Sequence, residues 1–277
     1  EQAWELVWAR FVEAPPSYPG IPDLLRRARP KKDAGMFARQ DSWPQDNEAA
    51  EALLRDRLRE IGTLMAAEAR AAVLELDDQR AHGQRRQWVW AKLGQAPLAR
   101  ALSPLAGLAE ETARSLNGAS VAEVANAYEE HGWQADASAL QALALVDQPA
   151  DVVAVTAAVR AIYRPWLEDA AKQFQSLVGD GDAARYSAPS LAIQESGSCI
   201  LFVDGLRMDI AHRLGTRLTE RGLRAHLDWR LTALPTMTAT AKPAVSPVGP
   251  SLRGGAELSP STISGSKVDI TVLRKLL

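Results

Sequence analysis

The sequence predicts an α/β chain. A helical region spans residues 1–178, a linker spans 179–197, and residues 198–277 open a parallel sheet flanked by helices. Three features predict it. Apolar residues recur every three to four positions through the first region, the helical period. The stretch GDGDAARYSAPSLAIQESG, residues 179–197, is rich in glycine, serine and alanine and interrupts that pattern. Beyond it the period changes from 3.6 to 2.

The helical elements follow in order. Trp4, Val7, Trp8 and Phe11 share one face. Leu54, Leu58, Ile61 and Met65 continue at three- and four-residue spacing, with Asp46 as a candidate cap. Ser120 and Glu123 have capping-box spacing ahead of Val124 and Tyr128. Pro149 suits the first turn of a helix, ahead of Val152, Val155, Val159, Ile162 and Trp166. Gly179 is its expected stop.

In the second region Cys199, Ile200, Leu201, Phe202 and Val203 form an apolar run between Gly197 and Gly205. Such a run suits a central parallel strand buried on both faces. Ile210, Leu214 and Leu218 then recur every four residues, and Gly222 follows. Ala225, Leu227, Trp229 and Leu231 alternate with His226, Asp228 and Arg230, the signature of a half-buried strand. Strand, helix and strand make one βαβ unit with a right-handed crossover. Val268, Val272, Leu273 and Leu276 predict a final amphipathic helix.

Composition narrows the class. The chain has 277 residues, 47% hydrophobic content and a net charge of −2, enough for two domains with buried cores. No apolar run approaches the ~18 residues of a membrane span. The single cysteine, Cys199, excludes an intramolecular disulfide and suits a reducing compartment, so a cytoplasmic location is expected. Arg26, Arg27, Arg29, Lys31 and Lys32 form a local basic cluster that could touch phosphates, or could be a solvated helix end beside Pro30. Trp88, Trp90 and Trp133, with Arg85 and Arg86, could stack on nucleic-acid bases or fill a core. A pI near 6.2 argues against a dedicated nucleic-acid binder. His82, His131, His212 and His226 show no metal-ligand spacing, and His226 reads as a strand-surface residue.

Two segments carry chemistry. SCILFVDGLRMDIAHRL, residues 198–214, puts Asp204 at the carboxyl end of the apolar strand. LTALPTMTATAKPAVSPV, residues 231–248, puts Thr236, Thr238 and Thr240 just after the second strand. In open α/β sheets ligands bind outside those strand ends. A carboxylate there requires a partner, either a divalent cation or the backbone N–H groups of the following helix. The threonines either present a nucleophile or satisfy turn backbone. In an extended loop all three project to the same side, about 7 Å apart at each step.

Together, VDGLRMD and ALPTMTATAKPAVSP resemble the PglZ family, the alkaline-phosphatase-superfamily component of BREX bacteriophage-defence systems. The resemblance is close over residues 198–248 and looser over the helical region, where AIYRPWLEDAAKQF suits the family. It implies that residues 198–277 are the first part of an alkaline-phosphatase-like catalytic domain. It also implies a metal-dependent phosphatase or phosphodiesterase, with Asp204 as metal ligand and zinc as the usual ion. Superfamily phosphodiesterases carry a Pro-Thr-x-Thr pattern whose second threonine attacks, which makes Thr238 the nucleophile and a metal ligand. Ala239, Thr240 and Ala241 stand where those enzymes carry Phe-Pro-Asn, so Lys242 is the candidate group for the phosphoryl oxygens.

After Thr240 the chain offers only Glu257 and Asp269 as acids and no histidine. The distal Asp, Asp-His pair and later His of the superfamily are not recognisable. The chain therefore reads as an incomplete catalytic domain, a fragment at both ends that is inactive alone. The alternative function is a non-catalytic scaffold that binds a DNA methyltransferase of the same defence system. Other BREX components are the expected partners under either reading.

Overall fold

The computed structural model describes residues 2–29, 41–179, 201, 203, 205–229, 231, 236–246, 248–253 and 259–272. It divides into two units, one of residues 1–116 and 130–171, the other of residues 117–129 and 172–277. Among the described residues no helix is long and apolar enough to cross a membrane.

The first unit is built from helices. They are α1 (Gln2–Glu13), α2 (Ile21–Ala28), α3 (Pro44–Ile61), α4 (Ala66–Asp78), α5 (Arg80–Arg85), α6 (Val89–Lys92), α7 (Pro97–Glu111) and α9 (Trp133–Ala144), with α10 (Pro149–Gly179) as far as Ala171. The 3.6-residue period decides which side chains go inside. Leu54, Leu58 and Ile61 of α3, Val73 and Leu76 of α4, and Leu98, Leu102, Leu105 and Leu108 of α7 are buried. α7 is the hub, packing against α3, α4, α5 and α9. Small residues let the helices approach closely. A Cβ built on Gly62 would lie 2.5 Å from the Cβ of Ala157, and one on Gly107 would lie 3.2 Å from the Ser138 hydroxyl.

Several start signals hold. α10 opens at Pro149 and is described as far as Gly179. The Ser120 hydroxyl accepts from the Glu123 amide at 3.2 Å and opens α8 (Val121–Ala127), while Glu123 accepts from the Ala119 amide at 2.8 Å. Asp46 is not the cap of α3. That helix opens at Pro44, whose missing N–H costs nothing at N1, and Asp46 is ion-paired with Arg29 instead.

The tryptophan question resolves toward packing. Phe11, Val89 and Trp90 form a buried cluster with Trp8, Val12, Ile21, Leu25, Trp88 and Leu93 against it. Trp90 is fully buried and its indole N–H donates to the Asp41 carbonyl at 2.9 Å.

A buried polar node joins three of these helices. Glu51 of α3 accepts from the Leu98 amide at 2.8 Å and the Ala99 amide at 3.2 Å, which satisfies the open N-terminus of α7. Its carboxylate also pairs with Arg85 of α5, which donates to the Asn47 side chain at 3.2 Å. All three side chains are at least nine-tenths buried.

The second unit differs from the fold class expected for residues 198–277. No parallel sheet occurs among the described residues. The chain is mostly helical, with α11 (Met208–Glu220) and α12 (Thr238–Val245). Among the described residues the sheet is an antiparallel pair, β1 (Leu252–Arg253) with β2 (Ser261–Thr262), in register Leu252 to Thr262 and Arg253 to Ser261. Cys199, Ile200, Phe202 and Asp204 lie outside the described residues. Leu201 and Val203 are not strand and are exposed. The alternating segment at 223–229 forms no ladder either, and Leu227 is 40% exposed. The physical reason is that alternation describes a half-buried strand only when a neighbour supplies its hydrogen bonds. One βαβ unit offers two strands, fewer than the three or more a stable sheet requires. Of the predicted final helix, Ile270–Val272 is helical and the remainder lies outside the described residues.

Candidate functional site

Asp204, the expected metal ligand, lies outside the described residues. Gly205 beside it has φ of +71°, a left-handed conformation that glycine adopts without a Cβ penalty. The chain then enters α11 with Asp209 in its first turn, where a carboxylate suits the positive helix end. Asp209 is only 3% exposed and accepts from the Arg207 guanidinium at 3.0 Å. Sequence reasoning passed over this second acid of the VDGLRMD segment. Its spacing from Met208, at the start of the helical period, was the available signal.

The threonine segment differs from the extended loop expected. Thr236 is exposed before the helix, Met237 is the N-cap residue of α12, Thr238 is its first residue, and Thr240 is its third. At 100° per residue, Thr238 and Thr240 point to nearly opposite sides rather than to one. The Thr240 hydroxyl is engaged in capping, accepting from the Met237 amide at 3.3 Å and lying 3.1 Å from the Met237 carbonyl. The Thr238 side chain is exposed at the helix mouth. The helical ladder starts with the Ala241 amide on Met237 at 2.8 Å, so the amides of Thr238 and Ala239 have no acceptor within the helix. Lys242 stands four residues after Thr238, on the same face of α12, and is half-buried. Pro243 is buried and lacks the N–H that would continue the ladder. Gly249 is packed so closely on the Ala244 carbonyl that a Cβ would lie 2.5 Å from its oxygen, which fixes the exit from α12.

Among the described residues no three His, Cys, Asp or Glu side chains could hold one ion. Asp269 accepts from the Val272 amide at 2.8 Å and so caps a helical turn, and Glu257 lies outside the described residues. His226 pairs with Asp228 at 3.2 Å, both fully in solvent, as a surface residue would.

The basic cluster of the first unit is largely engaged. Arg26 pairs with Glu48 at 2.6 Å and with Asp23 at 3.1 Å, and Arg29 pairs with Asp46. The hydrogen bond that Arg26 donates to Glu48 raises the Arg26 pKa further above its ordinary value. Lys31 and Lys32 lie outside the described residues.

No protein-family model, curated protein or solved structure matches the chain.

Proposed function

We propose that the chain takes part in metal-dependent phosphoryl transfer, as a phosphatase or phosphodiesterase of the PglZ kind in a bacterial phage-defence system. Thr238 is its nucleophile. The observation that carries this reading is the position of Thr238, an exposed hydroxyl on the first residue of α12 beside two amides without helical acceptors. A helix N-terminus receives phosphate oxygens through such amides and the helix dipole. Lys242 adds a positive charge one turn along the same face. Thr240, by contrast, is held by its own cap.

The steps involve the protein's own groups. The Thr238 oxygen forms a bond to phosphorus as the leaving oxygen departs, and water then cleaves the phosphothreonine. The first-turn amides and Lys242 stabilise charge on the phosphoryl oxygens. The resemblance assigns a divalent ion, zinc in the usual case, to Asp204, and such an ion supplies Lewis-acid activation when bound. The described side chains do not complete its ligand set.

Turnover of an activated aryl phosphate diester by the protein tests the reading, together with mass spectrometry for phosphothreonine. Thr238→Ala should abolish both signals while Thr236→Ala and Thr240→Ala keep them. Activity retained in Thr238→Ala would overturn the assignment.

A second reading is a scaffold that binds a DNA methyltransferase of the same system. It draws support from the exposed apolar side chains around α11, among them Leu206, Leu214, Leu223 and Leu227.

A further inference from the structure

The richest unassigned feature of the second unit is a groove of about 560 Å³ beside α11. Its apolar lining comes from Leu206, Ala211, Leu214 and Leu218 on one side and Ala225 and Leu227 on the other. Leu206 is 43% exposed, Leu214 46% and Leu227 40%. Leu223, in the turn that joins the two walls, is 55% exposed. A contiguous apolar surface of this kind marks a partner site, because leaving it in water forgoes about 25 cal/mol for each Å² that could be buried.

Charge around the groove selects the partner. Two acids nearby are engaged, Asp209 by Arg207 at 3.0 Å and Glu220 by Arg217 at 3.0 Å, while Asp228 lies 3.2 Å from His226, which balances its charge only when protonated. Arg213, Arg221 and Arg224 form no ion pair among the described residues. Arg213 and Arg217 flank the stripe of Ile210, Leu214 and Leu218, while Arg221 and Arg224 stand in the turn between the walls. The groove is therefore apolar along its floor, with Glu220, His212 and His226 also in its lining, and the exposed Arg213, Arg221 and Arg224 stand beside it.

We propose that this groove binds an acidic amphipathic helix of a protein partner. Leucine-like anchors at i, i+3 or i+4, and i+7 would fill the floor, and flanking Asp or Glu would meet Arg213, Arg221 and Arg224. The lining holds no Trp, Tyr or Phe on which bases would stack. The inference deepens the partner-binding reading by naming the partner's chemistry, and it does not depend on Thr238.

The test uses the full chain and a fluorescein-labelled synthetic helix with leucines at that spacing and glutamates on both flanks, read by fluorescence anisotropy. Comparison probes are a scrambled peptide, a peptide with lysine in place of glutamate, and anionic phospholipid vesicles. The acidic helix should bind at least about tenfold more tightly than either peptide control, and salt should weaken it. Arg213→Glu with Arg224→Glu, both solvent-facing changes, should weaken binding by about tenfold or more. Leu214→Gln should do the same with an unchanged far-UV circular dichroism spectrum. Equal binding of the scrambled peptide, indifference to both variants, or binding of vesicles in preference to the peptide would overturn the proposal. A methyltransferase of the defence system that binds the chain while the peptide does not would sink this inference and leave the partner-binding reading standing. Thr238→Ala should leave peptide binding unchanged, so the phosphoryl-transfer reading is judged separately.

Discussion

Replacing Arg85 with Met isolates the buried node that joins α3, α5 and α7. Arg85 is 3% exposed and Glu51 5%, so neither charge can fall back on water when its partner goes. The methionine fills much of the space left by the arginine stem but cannot compensate the Glu51 carboxylate. Removing one member of a buried ion pair costs about 3–5 kcal/mol. Two amide donors, Leu98 at 2.8 Å and Ala99 at 3.2 Å, still hold that carboxylate, which places the expected cost at the lower end of that range. For a unit of this size each kcal/mol moves the melting temperature by about 2–4 °C, so the midpoint should fall by roughly 6–12 °C. Differential scanning calorimetry of the single variant, of Glu51→Leu, and of the double variant completes a cycle. The double variant should be less destabilised than the two singles combined, because it removes the stranded charge. A midpoint loss under about 2 °C for Arg85→Met, or strict additivity in the cycle, would refute the claim that these charges depend on each other.

Other outcomes follow from the same geometry. His82 is half-buried beside Arg85 and Arg86, and desolvation first, then those two cations, lowers its pKa. The unfolded chain therefore takes up this proton first, and stability should fall as pH drops below about 6.5 until the folded-state value is passed. Chemical denaturation of His82→Gln between pH 5 and 7.5 should show a shallower slope than the parent (both limits approximate). Gly62→Ala should destabilise the first unit by about 1–3 kcal/mol, read from the urea midpoint, since its Cβ would meet Ala157 at 2.5 Å. Ser120→Ala should cost about 1 kcal/mol by removing the cap on the Glu123 amide, with faster amide exchange at the start of α8 as the local signature. Gly205→Ala should destabilise the second unit by about 1 kcal/mol in the same urea assay, because φ there is +71° with open space around the Cα.

Part of the helical structure was legible from residue order because helices are local. Pro149 opens α10, Ser120 opens α8, and the spacing of Leu54, Leu58 and Ile61 names the buried face of α3, whereas Met65, expected on the same face, lies past the helix end and is 76% exposed. Each of those signals acts within a turn or two, through hydrogen bonds the segment makes with itself. The threonine segment sat at the edge of legibility. Three alternating threonines fit an extended loop, and only the Thr240 hydroxyl on Met237 reveals that a helix starts at Thr238.

What depends on distant partners could not be read. Alternation at 225–231 suggested a strand, yet a strand draws its hydrogen bonds from a neighbour, and none pairs with residues 225–229. Glu51 and Arg85 look like surface charges in a helical pattern. They become a buried pair only because α7 brings its open N-terminus, at Leu98 and Ala99, against α3. Local sequence determined where α8 and α10 begin and most of the face that α3 buries. Tertiary structure alone decided which charges are buried together, which tryptophans fill the core beneath α1, and which leucines beside α11 stay in water, because each depends on groups brought together from distant parts of the chain.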